Sequence, residues 1–277
     1  MSLVSVSSVP DLVAPALLAA FDGWIDAAGA ASGAAQLLSA EAQVVATFED
    51  DVLFDYRSRR PVLDVIDGTL TRLTWPQIAV RHVPLDGRDL LVLSGPEPDF
   101  RWRELGEAIA ELAGRLGIVE WVSLGAIPAA VAHTRPVPVL ATASAPGLLK
   151  EQEQQGPAGL LRVPSAALSV IEIAVSGSGI PATGFYAQVP NYVAGPYAAA
   201  SLALLEHAGR HLGVELPHGS LAEDAVTQRA NLDTLVAEQP EAREYLERLE
   251  QMSGADVPSG DELASEIERF LREQGGG

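Results

Sequence analysis

The chain has 277 residues, 48% hydrophobic and 20% charged, enough for one large or two small folded units with a substantial core. Its formal net charge of −19 opposes binding to nucleic acid or to an anionic membrane surface, and no apolar run reaches the roughly 18 residues of a membrane span. With no cysteine, disulfides, thiolate zinc sites, iron–sulfur clusters and cysteine nucleophiles are excluded; Lys150 is the single lysine, and no P-loop surrounds it.

The N-terminus lacks the positive start and cleavage pattern of a secretory signal, so a cytoplasmic location is expected. Ala14 to Phe21 is an apolar run bounded by Pro15 and Gly23, and reads as a buried strand. Gly23 to Ala40 follows as a helix of Ala, Gly and Ser, slim enough to pack very close to a sheet, another helix or a ligand. Asp26 stands where it can cap that helix, and Trp24 at the bend is a candidate pocket wall or subunit contact. Val44 to Phe48 reads as the next strand, and Asp67-Gly68 between two alternating stretches predicts a hairpin within Asp55–Pro76. Arg57, Arg59 and Arg60 can grip an anion or an acidic partner, or form salt bridges with Glu49 to Asp51.

The organising stretch is Arg88 to Ser144. Leu90 to Leu93 is a strand that pairs with Ile78 to Val83, Arg101 to Leu116 is an amphipathic helix, and a second parallel strand begins at Trp121. Two neighbouring parallel strands would bring their polar carboxyl-terminal loops into one crevice, where open α/β sheets bind ligands. Pro138 to Ala143 adds a strand, Ala145 to Pro164 reads as a mobile loop covering the crevice, and Ser165 to Ser176 is a helix ended by glycines. Thr183 to Val189 is a further strand and Pro196 to Leu212 a helix. Residues 1–218 are thus expected to form an α/β main domain, and residues 219–277 an acidic helical extension. From Leu221 onward there are 14 acidic and 5 basic residues, with helical stripes at Leu232/Leu235/Val236, Tyr245/Leu249/Met252 and Leu263/Ile267/Phe270.

The expected pocket draws on Trp24, Asp26, Ser94, Glu97, Asp99, Arg101, Trp102, His133 and Arg135. Glu97 and Asp99, two residues apart with arginines behind, suit acid–base work or a hydroxylated ligand, but can equally cap the helix and lock the loop. His133 titrates near neutrality and is the best single acid or base, or else a hydrogen-bonded structural residue. His207 and His211 have H-x-x-x-H spacing, yet no acid lies between them, so no metal site is expected. The glycines do not follow strands in a dinucleotide fingerprint, so an NAD enzyme is disfavoured and no cofactor is expected.

The stretches GWIDAAGAA, SGPEPDFRWR, LGAIPAAVAHTRP and VPNYVAGPYAAA, in this order, resemble the bacterial branch of the proteasome assembly chaperone family, second chaperone type. The resemblance spans Pro15 to Leu212. It implies an α/β three-layer sandwich similar to the phosphorylase/hydrolase fold, and a homo-oligomer with a trimer favoured. It also implies non-enzymatic binding of protein partners, as in relatives that assist proteasome assembly. The competing expectation is a hydrolase or phosphorylase-like enzyme acting on a nucleoside or other small polar molecule, with Glu97, Asp99 and His133 as candidate catalytic groups.

Overall fold

Strand β2 (Ala16–Asp22) is almost wholly apolar and sits at the centre of an eight-stranded sheet, flanked by β7 (Arg88–Pro96) and β8 (Glu120–Ala129), both parallel to it. The computed structural model describes residues 3–252 apart from Ser8. The sheet also contains β1 (Val4–Val6), β3 (Gln43–Phe48), β6 (Ala79–Leu85), β9 (Val139–Ala143) and β10 (Ala182–Pro190), in the order β1-β3-β6-β7-β2-β8-β10-β9. The four central strands β7, β2, β8 and β10 are parallel, and the outer ones pair antiparallel. A strand buried on both faces can be apolar at every position, which is why β2 shows no alternation.

Both faces of the sheet are covered. On one, Ala16, Leu18 and Ala20 meet α1 (Ala30–Ser39) and α5 (Ala198–Leu212). On the other, Leu17, Ala19 and Phe21 meet α3 (Trp102–Arg115) and α4 (Ala167–Gly177). The slim helix packs as its composition predicts, with Ala30, Ala31, Ala34 and Ala35 fully buried. Short α2 (Asp50–Leu53) follows β3, and the hairpin at Asp67-Gly68 forms as β4 (Val62–Ile66) and β5 (Thr69–Thr74), a separate two-stranded sheet. Pro240 separates α6 (Leu221–Glu238) from α7 (Pro240–Met252); the stripe at Leu263, Ile267 and Phe270 lies outside the described residues.

Two expectations are corrected. The strands at Leu90 and Trp121 are parallel but not neighbours, because β2 inserts between them. A crossover of β–helix–β length leaves room for one intervening strand, and the most apolar segment takes that doubly covered place. The loop from Ala145 to Pro164 begins not over the carboxyl-terminal ends but at the opposite rim. There Lys150 Nζ bonds the carbonyls of Arg210 and His211, and Gln154 and Gly156 bond Ala141 along the free edge of β9. Covering an edge strand satisfies its open backbone groups. Among the described residues no helix is long and apolar enough to cross a membrane.

Candidate functional site

The carboxyl-terminal ends of β7, β2, β8 and β10 form one rim, and every predicted site residue lies on it. The rim divides into two halves with separate hydrogen-bond partners. Because β2 intervenes, the ends of β7 and β8 stand two strand spacings apart, about 10 Å.

On the β7 side, Glu97 joins three segments. Its Oε2 accepts the Trp24 N–H at 2.8 Å, its Oε1 accepts the Ala167 N–H at the start of α4 at 2.7 Å, and its own N–H reaches Asp22 O. A Cβ on Gly23 would stand 2.4 Å from Glu97, so only glycine lets the two chains approach this closely. Asp99 Oδ2 accepts the Asp55 N–H at 2.8 Å, while the N–H groups of Asp99 and Phe100 both bond Leu53 O. The two carboxylates therefore lock loops together, the alternative to acid–base work that the sequence left open. Arg101 follows in the left-handed region at φ +59, a conformation that costs a non-glycine residue about 1–2 kcal/mol. It is held there between the Phe100 anchor and the Trp102 indole, whose Nε1 donates to Pro98 O, and its guanidinium pairs with Glu104. Ser94 Oγ accepts from Arg81. Arg57 and Arg59 bond Asp55 and Asp22 rather than the acids at 49 to 51. Trp24 and Phe100 remain 43% and 50% exposed, forming an aromatic surface on this half.

On the β8 side, His133 has a fully buried side chain. Its backbone N–H and Nδ1 both meet Tyr192 Oη at 2.8 Å, and Nε2 lies 3.1 Å from Asp233 Oδ1 on α6. One proton assignment satisfies all three contacts: Tyr192 accepts from the amide and donates to Nδ1, and Nε2–H donates to Asp233. Thr134 donates to Glu250 on α7, and Asn191 bonds Tyr245, whose ring also packs edge-on against Tyr192. The C-terminal helices thus close over this half of the rim, and burial pushes the Tyr192 hydroxyl up to about 12. Arg135, two residues on, is exposed.

Between the halves, Asp26 caps α1 from four residues upstream, its Oδ1 accepting the N–H groups of Ala31 and Ser32. Its Oδ2 is buried with no hydrogen-bond partner among the described residues, and burial raises the carboxyl above the usual range against the lowering effect of Ser32 and Ala31. No group of His, Asp and Glu side chains among the described residues has the disposition of a metal site. The partners Tyr192, Asp233, Tyr245 and Glu250 were not among the predicted site residues. Tyr192 lies inside one of the motif stretches, two residues past the end of β10, and Tyr245 stands in one of the predicted helical stripes, whereas nothing local marks Asp233 and Glu250.

These features define an open α/β protein whose parallel strands end in a tightly stitched rim, half of it capped by C-terminal helices. The PAC2 family profile matches residues 20–236, and the chain belongs to that family. A Mycobacterium tuberculosis protein of unknown function is 30% identical at a TM-score of 0.88, with 97% of this chain and 96% of that one covered. A proteasome-assembly chaperone homologue from the same organism is 33% identical at a TM-score of 0.76, covering 83% and 99%. An archaeal proteasome activator from Pyrococcus furiosus shares the fold at 16% identity and a TM-score of 0.64, covering 85% and 99%. No functionally curated protein matches the sequence.

Proposed function

We propose that this protein is a non-enzymatic, chaperone-like scaffold that binds protein partners in proteasome-related assembly in the cytoplasm, and does so as a homo-oligomer, a trimer by analogy with the resemblance. In this reading residues 1–218 are the main body, a variant of the phosphorylase/hydrolase sandwich, and residues 219–277 are an appended helical unit. Family membership and the chaperone homologue at 33% identity support the class.

The observation that carries the reading is the β4–β5 hairpin. Val62, Leu63, Val65, Ile66, Leu70, Leu73 and Trp75 are each between 45% and 70% exposed. A lone two-stranded hairpin is marginal in water, and monomers seldom leave so many large apolar groups uncovered. Its base is fixed by Trp75 packing on Tyr56 with ring centroids 4.7 Å apart, so the arm projects in a set direction. The two charges on its strands, Asp64 and Arg72, neutralise each other at 2.8 Å, with Asp67 confined to the turn, and this near-neutral face suits contact between copies that otherwise repel at −19 each. A second copy is the occupant this neutrality favours, and the rim with Trp24, Phe100 and Arg135 is left for the protein partner.

The test is capture with the tagged oligomer, followed by Trp24→Ala and Phe100→Ala in the bait. A stoichiometric partner lost in those variants supports the reading; a partner whose capture ignores them, or none at all, counts against it. The enzyme reading rests on Asp26, a buried acid with one oxygen unpartnered. Turnover of a nucleoside that disappears in Asp26→Asn with folding intact would replace the scaffold reading.

A further inference from the structure

At the amino-terminal rim, opposite the candidate site, a buried histidine lies between two carboxylates. His211, in the last turn of α5, has a side chain only 4% exposed. Its Nε2 is 3.1 Å from Glu120 Oε1 at the start of β8, and its Nδ1 is 2.7 Å from Glu153 Oε1 in the connector between β9 and α4. A neutral imidazole has one N–H and can donate to one carboxylate, so serving both requires the imidazolium.

The surroundings are built for that charge. Arg88, at the start of β7, bridges Glu120 and the Leu212 carbonyl, and Lys150 Nζ bonds the carbonyls of Arg210 and His211. Glu153 Oε2 accepts the Lys150 N–H, closing a turn on itself. From the sheet, the Phe185 ring meets His211 edge-on at 5.4 Å and His207, one turn earlier on α5, at 6.2 Å. His207 is held neutral by burial, which lowers its pKa against the opposing effect of the Ala203 carbonyl; Arg210 lowers it further, while Glu206 and Glu153 oppose.

We propose that His211 operates a proton-dependent clamp: in its protonated form it ties the Lys150–Glu153 turn to β8 and α5, and loss of the proton frees that turn. Ser144, Ala145 and Leu148 of the same connector wall a surface concavity against Ile173 on α4, so release of the turn also unshapes that concavity. Burial works against the charge on His211, but Glu120 and Glu153 together outweigh it and its pKa is raised. The clamp is therefore fully closed below the ordinary histidine value of 6.5 and is lost as pH rises through the raised one. Glu120 is lowered despite its burial, by His211 and Arg88, so its share is present above 4.5 and fails only as pH falls through the lowered value.

Lys150 is the only lysine, so a lysine-specific endoprotease cuts the chain solely inside the clamp. Its rate on the folded chain is divided by its rate on a free peptide of residues 145–156 at each pH from 6 to 9. The ratio is expected to be flat below 6.5, to climb by up to about tenfold per pH unit between 6.5 and the raised His211 pKa, as one proton is lost per opening, and to level off above it. His211→Gln, which takes up no proton and has its donors on one nitrogen instead of two opposed ones, should be cut faster at pH 6 with a flat ratio. Glu153→Gln, altered on the connector alone, should do the same even if the first variant folds poorly. A flat ratio in the native chain, or the native profile retained in Glu153→Gln, overturns the clamp.

Discussion

His133 and Asp233, one hundred residues apart in sequence, meet at 3.1 Å where α6 crosses the end of β8. The imidazole is buried while the carboxylate is half exposed, so the bond anchors a helix rather than tuning an open catalytic base. Asp233→Ala should leave the sheet intact and loosen α6 and α7. Amide exchange in those helices should quicken by roughly tenfold, the equivalent of about 1.4 kcal/mol for one lost bond to a charged group. Unchanged exchange would show that apolar packing alone, such as Leu232 against the α1/α5 layer, holds them down.

Glu97→Ala should lower stability by about 1–3 kcal/mol in urea denaturation, because the N–H of buried Ala167 loses a charged acceptor and the exposed Trp24 N–H loses its loop contact with it. Glu97→Gln keeps one acceptor oxygen and should cost about half as much. Equal effects would mean that shape rather than hydrogen bonding sets the loop.

If the proposed self-contact runs through the hairpin, Ile66→Glu with Leu70→Glu should lower the mass in solution to that of one chain while barely shifting the midpoint of unfolding, since both side chains are more than 60% exposed within one chain. Light scattering after size exclusion reads the mass. Retained oligomers would place the self-contact elsewhere than on the hairpin.

Asp50, partly buried at the start of α2, has one oxygen without a partner among the described residues, and burial pushes its carboxyl up to about 6 against the lowering effect of Gln77. A folded pKa above the ordinary 3.8 means that the charged form is the costly one. Asp50→Asn should therefore stabilise the protein at pH 7 by roughly 1 kcal/mol after allowance for solvent screening, and the gain should vanish near pH 4. Thermal melts at the two pH values measure it.

Gly125→Ala should destabilise by about 1–3 kcal/mol, because its Cβ would stand 2.6 Å from the Tyr186 ring, which lies across Gly125 and Gly184. Tyr186→Leu in the same chain should recover part of the loss. No recovery would mean that the sheet backbone, not the ring, resists the methyl group.

Much of the rim was legible because its features are local. The strand ends were placed only nearly, before the turn-rich residues at Ser94 and Gly125, since β7 and β8 run on to Pro96 and Ala129; the glycine at 23 and the acid at 97 are close in chain terms to the strands they serve. The Trp24 bend, the Asp67-Gly68 turn and the capping role of Asp26 follow from residue chemistry within a few positions. Which acid meets which backbone was not legible. Glu97 reaches Ala167 seventy residues away, and Arg59 finds Asp22 instead of the nearer acids at 49 to 51.

Apolar periodicity and glycine and proline punctuation are properties of short windows, and they determined the strands and the helices, while the family likeness rested on four short motif stretches. Strand order is not such a property. The insertion of β2 between β7 and β8, the two-carboxylate setting of His211 and the closure of α6 over His133 each depend on which buried surfaces match across long chain separations. Only the packed tertiary structure decides that match, because burial free energy is fixed by total complementarity and carries no record of sequence distance.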